Sequence, residues 1–229
     1  MQDRAQHEFY DSSFLFDPYE MQNFVHETHR EVGELHLEDN SEEAFDFFNL
    51  TFDKSKEDSV VSAYKVEHLL TQFEERLKRK FPGKILNDSK WVWNNVGGIY
   101  ARIKVLYCST KEYVVLFGTQ NPQEGFSGVY SYMNVWDIML SGSMSSYGAA
   151  SRRSFPKTYK VGDISLLRKK ESRFYTMDSL TYMIDYGRGS VWRAFWPGII
   201  APLLFVNHDL HSTYIQIKDC ARSWLQNHK

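Results

Sequence analysis

Two aspartates stand where apolar residues would be expected. Read as a strand, SLTYMIDYGRG (179–189) puts Thr181, Met183 and Asp185 on one face and Tyr182, Ile184 and Tyr186 on the other. In NVWDIMLSG (134–142), Asp137 shares a face with Val135 and Met139, and Trp136, Ile138 and Leu140 lie opposite. An ionised carboxylate among such neighbours is costly unless it is paired or protonated. If both faces line one interior, the carboxyls can meet. Two carboxyls within hydrogen-bond range tend to share one proton, which places an acid beside a base at neutral pH. The competing arrangement has each Asp bonded separately to a backbone N–H or to an arginine such as Arg188 or Arg193, and spacing alone favours it. Glu112, in KEYVVLFGT, shares a face with Val114 and Leu116. It suits either orienting a partner through a hydrogen bond or standing in water at a strand edge.

Other chemistries find little support. HETH (His26, His29) and HDLH (His208, His211) have helical i,i+3 spacing, but no histidine occurs between His68 and His208. A histidine-rich metal centre in the strand region is therefore not expected, nor is any cofactor. YGRG could cradle an anion through backbone N–H groups; a strand-ending turn is the simpler reading. There is no phosphate-binding G-x-x-x-x-G-K-[ST] loop and no dinucleotide fingerprint after a strand. GFSG lacks the spacing of a nucleophile elbow. A net charge of -2 gives no sign of a nucleic-acid partner. Cys108 and Cys220 lie in apolar-patterned segments and read as free buried thiols.

The 229 residues suit one structural unit. Its expected parts are 1–63, an N-terminal helix plus an acidic insertion, and 64–229, a β domain with C-terminal helices. Asp17, Pro18 and Gly33 frame a first helix, and residues 34–60 read as a long acidic loop. SAYKVEHLLTQFEERLKRKFPG is an amphipathic helix carrying Val66, Leu69, Leu70, Phe73 and Leu77. From Trp91 to Gly189 short strands follow one another, with NPQEGFSG and SMSSYGAASRRSFP as turns or loops. Helices confined to the two ends of such a series predict an α+β fold, a small barrel or sandwich wrapped by helices. The run 194–206 is too short to span a bilayer and holds two prolines, so it reads as core or oligomer contact. In the last helix Tyr214, Ile217, Ala221 and Leu225 form one stripe. The polar N-terminus predicts no signal peptide and no N-terminal transmembrane anchor.

WVWNNVGG, EYVVLFGT, GFSGVY, WDIMLSG and YMIDYGRG, in that order, resemble the fungal C-8 sterol isomerase and sigma non-opioid receptor family, and FLFDPYEM resembles the opening of the fungal isomerases. The resemblance implies a cupin-like β-barrel around an apolar pocket, flanked by N- and C-terminal helices and assembled as a trimer. It implies a hydrophobic isoprenoid ligand and a peripheral membrane contact through 191–206, in the cytoplasm or on the endoplasmic reticulum. It also implies that Asp137 and Asp185 are the acids facing the ligand, although the family usually has Glu at position 185. Tyr113, Phe117 and Tyr130 or Tyr132 would wall the site, Glu112 would support it, and Ile103, Met177 and Met183 complete the expected substrate-binding set. The function so implied is cofactor-independent proton transfer: protonation of an alkene and removal of a proton elsewhere, as an isomerase or a terpene cyclase. The alternatives are a non-enzymatic binder of hydrophobic amines or sterols, and a Mg²⁺-dependent diphosphate cyclase using the 34–60 acids.

Overall fold

The computed structural model describes residues 13–34, 41–148 and 155–227. Helix α1 (Pro18–Glu34) begins where Asp17 Oδ1 accepts hydrogen bonds from the backbone N–H groups of Tyr19 and Glu20, at 2.8 and 3.1 Å. It buries Phe16, Met21 and Val25. Helix α3 (Glu57–Lys80) has acids in its first turn and lysine or arginine in its last, matching the helix dipole.

The acidic segment is not the loop its charge suggests. Residues 35–40 lie outside the description, but Ser41–Phe47 form helix α2, and α3 starts five residues before Ser62. The reason is apolar. Ala44 and Phe45 bury against Val60 and Tyr64, so the segment carries a small core of its own.

The strands make two antiparallel sheets rather than one hydrogen-bonded ring. The larger has the order β1 (Val92–Val96), β2 (Ile99–Cys108), β3 (Glu112–Thr119), β10 (Thr181–Gly189), β5 (Met133–Ser141), β8 (Ile164–Leu167). The smaller has the order β4 (Gln123–Phe126), β9 (Arg173–Met177), β6 (Ser143–Gly148), β7 (Lys157–Lys160). Two expected loops therefore contribute strands, because β4 and β6 both pair with β9. Residues 149–154 of the second lie outside the description. The α+β class and the terminal helices are as expected.

Alternation decides what each face of the large sheet meets. Trp136, Ile138, Leu140, Tyr182, Ile184 and Tyr186 pack with Phe16, Met21, Phe73 and Leu77 beneath α1 and α3. Val135, Met139 and Met183 face the opposite way and cluster with Met144, Tyr175 and Met177 of the small sheet and with Val191, Ala194 and Cys220. The register slips between Val105 and Tyr107. Strict alternation would aim Tyr107 at this interior; the bulge turns it away and brings Cys108 inward instead.

The C-terminal segment runs through α4 (Val191–Phe195), a wide π-type helix Trp196–Val206 and α5 (Leu210–Asn227). Pro197 and Pro202 supply no N–H, which interrupts regular α-helical bonding. In the run 194–206, Ile199, Pro202 and Leu203 are core, while Trp196, Phe205 and Val206 are exposed. The stripe on α5 points the other way from a core stripe. Tyr214, Ile217 and Leu225 are exposed, and the buried face is Ser212, Thr213, Gln216, Asp219, Cys220 and Ser223. The polar side is held inward by bonds to the β domain: Ser89 Oγ donates to Asp219 Oδ2 at 3.1 Å, and Ser223 Oγ accepts from the Cys108 N–H at 2.8 Å.

Candidate functional site

Asp137 and Asp185 are direct cross-strand partners in the β5–β10 pair. Facing residues on one side of an antiparallel pair hold their Cβ atoms about 5 Å apart, so the two carboxyls share one small region. Both lie on the interior face, in an apolar chamber between the sheets and the C-terminal helices. One lobe, about 70 Å³, is walled by Ile103, Val105, Tyr113, Tyr130, Asp185 and the helical residues Val191, Ala194, Phe195 and Ile199. An adjoining lobe of about 40 Å³ includes Phe117, Tyr130, Asp137, Tyr175, Met183 and Asp185. Tyr130 and Asp185 border both.

The two acids have different partners. Asp137 is ion-paired with Arg173, and the same guanidinium reaches Ser165, the cross-strand neighbour of Asp137 on β8. Asp185 accepts a hydrogen bond from the Tyr113 hydroxyl at 2.8 Å. Burial is the main force raising the pKa of both carboxyls. At Asp137 the Arg173 charge opposes the rise. At Asp185 the facing Asp137 charge adds to it, and the carboxyl is pushed up to about 8. Asp185 is half-buried and lines the chamber. Burial and the facing Asp137 charge favour a protonated Asp185, whereas the adjacent Arg173 guanidinium favours the anionic form of Asp137.

Tyr113 is held against Asp185 by a glycine. Gly187 is its cross-strand partner, and a Cβ there would come within 2.4 Å of the Tyr113 ring. Burial, then the Asp185 charge, keep the Tyr113 hydroxyl protonated. This bond favours the ionised carboxylate. Tyr113→Phe is therefore expected to move the alkaline limb of any Asp185-dependent pH profile further up; an unchanged or lowered limb would show that the bond does not act on Asp185.

The other expected residues separate. Ile103, Tyr113, Phe117, Tyr130 and Met183 border the chamber. Met177 packs in the core behind it, paired with Met144. Tyr132 is exposed, under the Arg193 guanidinium at 5.4 Å from its ring centre. Glu112 lies on the opposite face of the sheet and does not line the chamber. It accepts from Tyr186 Oη and the Leu15 N–H, both at 2.8 Å, and so ties β3 to the segment leading into α1. Arg188 also serves that face, donating to Tyr186 Oη at 2.5 Å and to the Phe16 carbonyl. Two histidines of the helical pairs are structural: the ring of His29 bonds the Leu140 carbonyl at 2.6 Å, and that of His26 covers Gly162. Among the described residues no three His, Cys, Asp or Glu side chains converge as metal ligands.

Arg173 was not singled out from the sequence. Its signal was there, since alternation in RFYTM puts Arg173, Tyr175 and Met177 on one face. Arg173 and Leu167 also border an outer cavity of about 650 Å³ on the side of Tyr147, Lys157, Tyr159 and Lys170.

Residues 37–228 match the family described as ERG2 and Sigma1 receptor like protein. The sigma non-opioid intracellular receptor 1 of Danio rerio is 33% identical over 127 residues, 55% of this chain and 56% of the receptor. That of Gallus gallus is 35% identical over 117 residues, 50% of this chain and 51% of the receptor. The C-8 sterol isomerase of Aspergillus fumigatus is 29% identical over 133 residues, 58% of this chain and 51% of the isomerase. The match spans about half the length of these curated relatives. Among solved structures, KdgF from Halomonas sp. aligns with a TM-score of 0.38 at 11% identity, covering 46% of this chain and 93% of that one.

Proposed function

This chain belongs to the ERG2 and sigma-1 receptor family, and from that premise we propose that it is an isomerase that moves a carbon–carbon double bond in a sterol-like isoprenoid by proton transfer between Asp185 and Asp137. The observation that carries the reading is the cross-strand acid pair with unequal partners. Asp185 gives its proton to one alkene carbon, and the π electrons form the new C–H bond. The neighbouring carbon becomes a cation. The Asp137 carboxylate takes a proton from a carbon next to the cation, and that C–H electron pair becomes the new double bond. Substrate and product differ only in double-bond position, and one proton has moved from Asp185 to Asp137. Its return between facing carboxyls resets the site.

The surroundings suit a cation. Tyr113, Phe117, Tyr130 and Tyr175 line the chamber with aromatic rings, whose π systems can stabilise positive charge. The apolar lining keeps out water that would trap the intermediate. The exposed apolar side chains of Trp192, Trp196, Phe205, Leu210 and Tyr214 along the C-terminal segment suit peripheral contact with a bilayer, where such substrates dissolve. Among the described residues no helix is long and apolar enough to cross a membrane.

Because the donor must be protonated, turnover is expected to fall about tenfold per pH unit above pH 8. A rate that stays flat to pH 9.5 would remove Asp185 from the donor role.

A second reading is favoured by the receptor relatives at 33% and 35% identity. In it the chamber binds a hydrophobic amine, Asp185 is ionised, and its carboxylate pairs with the ammonium. Incubation with a Δ8-sterol or a linear terpene in D₂O, followed by mass spectrometry, separates the two. Isomerisation predicts product with a shifted double bond and deuterium bound to carbon; ring closure of the terpene would mark a cyclase. Amine binding with no deuterated product would replace catalysis by binding.

A further inference from the structure

The chain has two cysteines, and the fold brings them together. Cys108 ends β2, and Cys220 lies on the inward face of α5. Both are free thiols, 3% and 6% exposed, and both border the lobe that contains Asp185. Their side chains are hydrogen-bonded to each other. Two features build this meeting. The register slip in β2 turns Cys108 inward where strict alternation would put Tyr107. The buried side of α5 carries small residues, Ser212, Thr213, Cys220 and Ser223, so the helix can sit close to the strand. It does so at this place: the Cys108 N–H donates to Ser223 Oγ at 2.8 Å, one turn beyond Cys220. A disulfide needs a close approach of this kind, with Cα atoms about 4.4–6.8 Å apart.

We propose that Cys108 and Cys220 form a redox modification site in the chamber wall: a low-molecular-weight disulfide oxidises the pair to an internal disulfide, which pins α5 to β2 and shuts the chamber to its ligand. The inference rests on the reading that this chamber receives a hydrophobic ligand, and adds a control on entry. The lobes hold about 70 and 40 Å³, whereas sites for such ligands run to about 300–1,000 Å³. A wall must therefore move. The strands are tied by continuous ladders. Helix α5 is tied to them by side-chain bonds at Ser89, Asn94 and the Cys108 N–H, and the π-type helix before it contains two prolines. The C-terminal helices are the wall that yields. While the chamber is closed, the bond to Cys108 and burial hold the Cys220 thiol well above its ordinary pKa, which leaves it a poor nucleophile. Lifting α5 exposes both thiols. One of them, as thiolate, attacks the S–S bond of the oxidant and expels one thiol; the second cysteine then displaces the other. Two electrons and two protons pass from the protein to the two released thiols.

The test treats the full reduced chain with oxidised glutathione, alkylates the remaining thiols after denaturation and maps the products by mass spectrometry. With two cysteines in the chain, an internal disulfide can only be this pair. Peptides joined through Cys108 and Cys220 are expected from protein of single-chain mass, with the melting midpoint raised by about 5–15 °C and slower amide hydrogen exchange along α5. Association of a Δ8-sterol, read by tryptophan fluorescence, should slow by about tenfold or more and recover with dithiothreitol. Cys220→Ala, and Cys108→Ala as a second variant, should lose the response to oxidant whatever their own rates. The proposal is overturned if both thiols stay free, if glutathione remains on a single cysteine, or if the disulfide joins two chains. It is overturned equally if the internal disulfide forms and α5 exchange or sterol association is unchanged. A reduced chain that binds no sterol removes the ligand reading instead; the modification site then stands or falls on the disulfide and on α5 exchange, which need no ligand.

Discussion

Asp185→Asn is expected to lower the rate of the proposed double-bond migration by about a thousandfold, within the range for loss of a positioned general acid, while the fold persists. The amide oxygen can still accept from Tyr113, so shape and hydrogen bonding survive and only the transferable proton is lost. The same variant carries a stability signature. The Asp185 carboxyl loses its proton near 8 in the folded chain and near the ordinary 3.8 when unfolded. Between those values the native state binds more protons than the unfolded chain, so wild-type stability falls as pH rises from about 4 to 8. The contribution is fully present below the lower value and gone above the upper. Asparagine has no such dependence, so its stability relative to wild type should climb across that window. Urea denaturation at pH 5 and pH 8.5 reads this directly; equal differences at both would mean that Asp185 is not perturbed.

Arg173→Met is expected to cost about 3–5 kcal/mol at pH 8, because it strands the Asp137 carboxylate in the interior. The side chains of the pair are only 11% and 9% exposed, so solvent screening offers little relief. At pH 5 the cost should shrink, since Asp137 without its counter-charge takes up a proton. Adding Asp137→Asn should recover most of the loss at pH 8, because the uncompensated charge is then gone. A loss identical at both pH values, and not rescued in the double variant, would assign the damage to lost packing of the long Arg173 side chain. The experiment also bears on chemistry: an Asp137 that holds a proton cannot act as base, so turnover falls with stability only if the proposed roles are right.

The site was legible in the sequence as far as alternation reaches. Asp137 and Asp185 interrupt apolar faces, and those faces are the ones that turn inward. That the two acids stand opposite one another is a fact of register between strands 40-odd residues apart, which no single strand shows. Arg173 was hidden for the same reason: it comes from the other sheet. Elsewhere a local pattern was overridden. The bulge near Leu106 exchanged Tyr107 for Cys108 in the chamber wall. Glu112 obeyed its alternation, which is why it ended on the face of Val114 and Leu116, away from the acids. On α5 periodicity points to the apolar stripe as the side to bury, yet the small polar side packs inward, because the β domain offers it Ser89, Asn94 and the Cys108 N–H as partners.

We propose that the two facing carboxyls hold one proton between them and that it sits on Asp185 at neutral pH. Carbon-13 NMR of the aspartate carboxyls, assigned with Asp137→Asn and Asp185→Asn, measures it. The expected result is one buried carboxyl still protonated at pH 7, titrating at about 8, lost in Asp185→Asn and shifted downward in Asp137→Asn. Two carboxyls already ionised at pH 5, indifferent to each other's removal, would contradict it.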